Sequence, residues 1–142
     1  MRMILKTTIL LSLLLAAGTA SAADFLVIVN DANKTTTITT REAANVFLKK
    51  KVQWGDGTKI LAVVLSDTSP VSQAFDKQIL NKSIAALHAY WQQEIFSGRN
   101  VPPVEKATDD EVVAFVQKNP GAIGYIAGNA AHPGVHVVSV TE

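Results

Sequence analysis

Four polar side chains follow a buried apolar run in the middle of the chain. They are Ser66, Asp67, Ser69 and Ser72. The run before them, Ile60–Leu65, consists entirely of apolar residues, which predicts a strand covered on both faces. Open α/β folds bind ligands beyond the carboxyl ends of their strands, and hydroxyl groups at a helix N-terminus suit a small anion. We therefore predict that a ligand site lies in the turn after this strand.

The residues after the turn predict a helix over Val71–Leu80. Ser69 is a favourable N-cap residue, because its side chain can accept hydrogen bonds from the first free N–H groups of a helix. Pro70 has the fixed φ that suits the first helical position. Strand, turn and helix therefore form one unit, and this unit positions the four polar side chains.

Motifs typical of catalysis and of metal binding are missing from the sequence. It contains no cysteine, no G-x-S-x-G motif, no glycine-rich phosphate loop and no paired-histidine motif. The acidic run Asp109–Glu111 follows the N-cap residue Thr108, where negative charge compensates the helix dipole. His132 and His136 are four residues apart but not on a predicted helix, so they lack the geometry of a metal site. We predict that the protein is not an enzyme and has no cofactor.

The rest of the chain alternates between strand and helix patterns, which indicates the α/β class. Further strands are predicted over Phe25–Val29, Ala122–Ile126 and Val135–Val140, and further helices follow Thr39, Ser83 and Thr108. Phe75, Trp91 and Phe115 are the large apolar residues of three helices, and we expect each to lie in the core. His88 lies on the same apolar stripe as Trp91. We interpret it as a histidine at the edge of the core rather than a metal ligand or a base.

Residues 1–22 have the pattern of a signal peptide. Arg2 and Lys6 form a basic segment, Ile9–Ala17 is apolar, and Ala20–Ala22 is an A-x-A cleavage site. The apolar segment is too short to span a membrane comfortably. We predict that the segment is cleaved, which leaves residues 23–142 as one exported periplasmic domain with no membrane span.

The charge of the domain excludes one class of partner. Without Arg2 and Lys6 the chain keeps 11 of its 13 basic residues against 12 acidic ones. A surface close to neutral lacks the concentrated positive charge with which proteins bind nucleic acid. Residues 23–142 are enough for a single core, and we find no internal repeat and no boundary of a second domain.

The central unit resembles a segment of the periplasmic phosphate-binding proteins of ABC transporters. That family typically reads R-x-D-x-S-G-T-x-x-x-F at this place, and its Arg, Ser, Gly and Thr hold the phosphate. Asp67 and Ser69 match the pattern, whereas Leu65, Pro70 and Val71 stand at its Arg, Gly and Thr positions. The resemblance therefore implies an anion site that keeps its turn and cap residues. It lacks part of what we call the anion grip, the Arg, Ser, Gly and Thr groups that hold the phosphate in the family.

Two further segments are similar to the same family, in the family's order. The run Phe47–Asp56 resembles I-F-L-G-K-x-x-x-W-x-D, and Pro120–Tyr125 reads P-G-A-I-G-Y. The resemblance implies a single-lobe, type II periplasmic-binding-protein-like domain, built as a three-layer α/β/α sandwich around a mixed, mostly parallel sheet. It also leaves open whether Arg99 supplies the positive charge that is missing at Leu65.

Two functions follow from the resemblance. The first is an exported solute-binding-like domain similar to the phosphate-binding component of an ABC importer, with a degraded anion grip. Phosphate or another small anion would then be a weak ligand, and an ABC transporter or another envelope protein a partner. The second is a periplasmic structural or protein-interaction module that has lost small-ligand binding.

Overall fold

The computed structural model describes residues 24–142, so the predicted signal peptide lies outside the described residues. Its elements are β1 (Phe25–Asn30), β2 (Thr37–Thr39), α1 (Thr40–Phe47), β3 (Leu61–Leu65), α2 (Pro70–Phe75), α3 (Ile84–Phe96), β4 (Val104–Lys106), α4 (Asp109–Lys118), β5 (Ala122–Ala127) and β6 (Val135–Thr141). Helix α2 continues as a π-helical segment, Asp76–Leu80. Within residues 24–142, no helix combines the length and the apolar character that crossing a membrane requires.

The strands form one sheet in the order β2-β6-β1-β5-β3-β4. Strand β1 is antiparallel to both of its neighbours, β5 and β6. The pairs β2–β6, β3–β4 and β3–β5 are parallel. The predicted α/β class with a mixed, mostly parallel sheet is therefore confirmed.

Helices cover both faces of this sheet. In β5, the ring of Tyr125 stacks on Phe75 of α2, with 3.9 Å between the ring centroids. The preceding residue, Gly124, faces the other side, where a Cβ atom would lie 2.9 Å from Cγ1 of Val112 in α4. Successive residues of a strand point to opposite faces, so α2 and α4 lie on opposite sides of the sheet. The three-layer α/β/α arrangement is confirmed.

The predicted core residues differ in depth. Phe75 is fully buried and Trp91 is nearly so, as expected. Phe115 is only partly buried against the core, so its predicted depth was wrong. Its ring lies near the surface, with the Lys106 ammonium 5.8 Å from the ring centroid. The buried face of α4 is formed by three valines, Val112, Val113 and Val116.

Candidate functional site

The turn after β3 has the local structure that its residues predict. Ser69 is the N-cap residue of α2, and its hydroxyl accepts hydrogen bonds from the N–H groups of Val71 at 3.2 Å and Ser72 at 3.5 Å. Pro70 occupies the first turn of the helix and has no N–H group. The first free donors of α2 are therefore already occupied by the helix's own cap.

The four predicted site residues point in two directions. Ser66 stays within the turn, where its hydroxyl lies 3.0 Å from that of Thr68. Ser72 is buried on the inward face of α2, and its hydroxyl accepts a hydrogen bond from the Tyr125 hydroxyl at 3.0 Å. Asp67 and Ser72 both line one cavity, whereas Ser66 and Ser69 are absent from its wall.

This cavity, which we call the β3 cavity, has a volume of about 290 Å³ and lies beside the carboxyl end of β3. Most of its wall is apolar or aromatic, formed by Phe47, Leu80, Leu87, Trp91, Pro103 and Tyr125 among others. A concave, largely apolar wall with a few convergent polar groups is typical of a small-molecule site. The position agrees with the rule that α/β folds bind ligands beyond their strand ends.

The polar groups of the β3 cavity are mainly acidic. Asp67 and His88 form a pair, with 2.9 Å between Oδ2 and Nε2. Asp76 is 5% exposed, and Glu105 completes the acidic side of the wall. Burial and, to a smaller extent, the negative charge of Asp67 raise the pKa of Asp76 to about 6, while His88 acts in the opposite direction.

The chain is similar to known proteins in structure but not in sequence. None of the family models matches the chain, and no curated protein is similar to it in sequence. A Clostridium perfringens protein of the phosphate ABC transporter substrate-binding type, solved with bound phosphate, superposes with a TM-score of 0.67 at 20% identity. An ABC-type phosphate transport receptor from Vibrio cholerae gives 0.66 at 16% identity, and PstS from Borrelia burgdorferi gives 0.66 at 20% identity.

The chain has the fold of these phosphate-binding proteins. The three matches cover 83%, 83% and 84% of this chain but only 45%, 46% and 48% of the matched chains. The chain therefore spans less than half the length of the structures it matches. The similarity in fold confirms the architecture that the three sequence segments predicted.

Within the phosphate-binding-protein fold, Arg99 does not reach the turn after β3. Its guanidinium pairs with the Glu94 carboxylate at 3.1 Å. Arg99 lines a second, larger cavity of about 570 Å³, together with Lys49 and Lys59. Of the described residues that line the β3 cavity, none is an arginine or a lysine.

Two residues of the β3 cavity were missed from the sequence. His88 was interpreted as a core-edge residue, but its side chain is 59% exposed and pairs with Asp67. Asp76 was not predicted as a site residue, although its position in the helix indicates that it faces inward. Ser72, Asp76 and Leu80 follow one another at intervals of four, and all three are buried. An aspartate on the inward face of a helix is unusual enough to indicate a site.

Proposed function

We propose that this chain is an exported solute-binding-like domain with a phosphate-binding-protein fold whose anion grip has been lost. The observation that carries the proposal is the charge of the β3 cavity. Asp67, Asp76 and Glu105 line it, and the described wall contains neither arginine nor lysine. Like charges repel more strongly in a partly desolvated site than in water, so this wall disfavours phosphate.

The backbone donors of the turn support the same proposal. Where the family has a Gly N–H group, Pro70 has none. Where it has an Arg and a Thr, Leu65 and Val71 are apolar. Each charge-assisted hydrogen bond contributes about 1.5–3 kcal/mol, so the loss of two or three lowers affinity by several powers of ten.

Calorimetry with phosphate tests this proposal. For the natural protein we expect no binding below the high-micromolar range. The combined change Leu65→Arg, Pro70→Gly and Val71→Thr should restore measurable binding that weakens with salt. Asp67 is the residue best placed in sequence to pair with the new arginine. A matched control carries Leu65→Met with the same two other changes, which alters the turn without adding charge.

Two results of this experiment would contradict the proposal. Sub-micromolar phosphate binding by the unmodified protein would mean that the grip is intact. A folded triple variant that binds phosphate no better than the natural protein would mean that the turn does not limit affinity. In that case the missing half of the matched structures, rather than the turn, would account for the loss.

Export is the second part of the proposal and rests on residues 1–22. Arg2, Lys6 and the A-x-A site at Ala20–Ala22 support cleavage and release into the periplasm. The expected mature N-terminus is Ala23 or Asp24, which intact mass or N-terminal sequencing of the secreted protein measures. Retention of Met1 in the mature protein would contradict export with cleavage.

An exposed apolar surface favours the second candidate function, a structural or protein-interaction module. Phe96 is 95% exposed at the end of α3, and Ile95, Val101 and Val104 nearby are also exposed. Strand β4, which contains Val104, is an edge of the sheet with unpaired backbone groups. An envelope protein, such as the membrane part of an ABC transporter, is a partner that this surface suits. Loss of a purified complex on Phe96→Ser, with the fold unchanged, tests this alternative.

A further inference from the structure

A buried carboxylate without a partner lies in the wall of the β3 cavity. Asp76 is 5% exposed, and within residues 24–142 no side-chain hydrogen bond or ion pair involves its carboxylate, which keeps its contact with water through the cavity that it lines. Its backbone carbonyl is used, because it accepts a hydrogen bond from the N–H group of Lys82 at 3.1 Å. A carboxylate in a mostly apolar cavity is less hydrated than one in open water, so a ligand that supplies positive charge would be favoured there.

The rest of the wall indicates what kind of cation fits. Phe47, Trp91 and Tyr125 contribute aromatic rings, and aromatic faces attract organic cations. A hard metal ion needs six or more oxygen ligands, and the described residues contain no group of three acidic or histidine side chains that could hold a metal. The wall therefore favours an organic cation with an apolar body over a metal ion.

The volume of the β3 cavity limits the size of the ligand. At about 290 Å³, it lies at the lower end of the range of small-molecule pockets, which begins at about 300 Å³. A ligand of one ring or a short aliphatic chain would fill it. Asp67 lies on the same wall and adds negative charge, although His88 shares part of that charge.

We propose that the β3 cavity binds a small organic cation, with an ammonium or amidinium group against the Asp76 carboxylate and an apolar body against Trp91 and its aromatic neighbours. This inference deepens the proposed function, because it names the ligand class of a solute-binding-like domain that no longer holds phosphate. The titratable groups that face the bound cation are Asp67, His88, Glu105 and Tyr125. Binding should weaken as pH falls below about 6, because Asp76 then takes up a proton.

Isothermal titration calorimetry on the mature protein tests this proposal with two matched pairs of probes. Benzamidine carries the charge that the similarly shaped benzamide lacks, and butylammonium is compared with butanol. We expect each cation to bind about tenfold or more tightly than its neutral partner at pH 7. Asp76→Asn should remove most of that difference. Asp110→Asn, which changes an exposed aspartate of α4, should leave it unchanged.

A second variant keeps the test decisive if Asp76→Asn fails to fold. Trp91→Leu keeps the carboxylate and removes the aromatic face, so it should weaken benzamidine more than butylammonium. Equal binding of cations and neutral partners, or no binding of either cation, would overturn the proposal. Preference for cations that survives Asp76→Asn would do the same. Phosphate is titrated in parallel, and tight phosphate binding would refute the lost anion grip separately from the cation site.

Discussion

The effect of the substitution Asp76→Asn on stability should depend on pH and be more favourable at pH 7 than at pH 4. The side chain is 5% exposed, and its pKa of about 6 lies above the ordinary value of 3.8. An acid whose pKa is raised by folding favours the native state when it is protonated. Its contribution is therefore present below about pH 4 and is lost as pH rises through about 6. Asparagine has nearly the same shape and carries no charge at either pH.

The magnitude follows from the two pKa values. Between pH 4 and pH 7, a rise from 3.8 to about 6 corresponds to about 2 kcal/mol of native-state stability that the aspartate loses. The amide of the variant also lacks a partner in the wall, which costs about 1–3 kcal/mol, but this cost is the same at both pH values. The quantity to measure is therefore how the difference in the free energy of unfolding between Asp76→Asn and the natural protein changes with pH.

Urea unfolding at pH 4, 5, 6 and 7 measures this change. The free energy of unfolding of Asp76→Asn, relative to the natural protein, should rise by about 2 kcal/mol over this range and then level off. Asp110→Asn, at an exposed position, is the control for loss of one negative charge. A difference that stays constant from pH 4 to pH 7 would mean that burial of Asp76 has been misread.

Three further predictions concern packing, and each is measured by denaturant unfolding. Phe75→Ala should cost about 3–5 kcal/mol because the ring is fully buried, whereas Phe115→Ala should cost roughly half of that or less; equal costs would contradict the difference in depth. Gly121→Ala should cost about 2 kcal/mol or more, because its Cβ would lie 1.9 Å from a backbone oxygen, while Gly55→Ala, with open space around it, should be close to neutral. Tyr125→Phe should cost about 1 kcal/mol through the lost hydrogen bond to a buried serine, and no loss would refute that bond.

The starts of the helices could be read from the sequence because the contacts that define them are local. Ser69, Ser83 and Thr108 each accept a hydrogen bond from an N–H group two or three residues ahead. The buried run before the turn likewise needs only its own apolar residues to form a strand. The three segments that resemble the phosphate-binding family are also short and local. Together they indicated the fold that the structural matches confirm.

The polarity of the site depended on contacts between distant parts of the chain. His88 meets Asp67 across 21 residues, and helical spacing alone placed it at the edge of the core instead. Arg99 lies just beyond the end of α3 and is held by Glu94 of that helix, so it supplies no charge to the turn.

The sequence by itself determined the four longer strands of this protein, the starts of its helices and the position of the turn after β3, but neither β2 nor β4. Only the tertiary structure decided that the cavity beside that turn is acidic. Capping and strand formation depend on residues within a few positions of one another, whereas the pKa of Asp76 depends on which groups exclude water from it. Those groups come from α1, α3, β4 and β5, and folding alone brings them together.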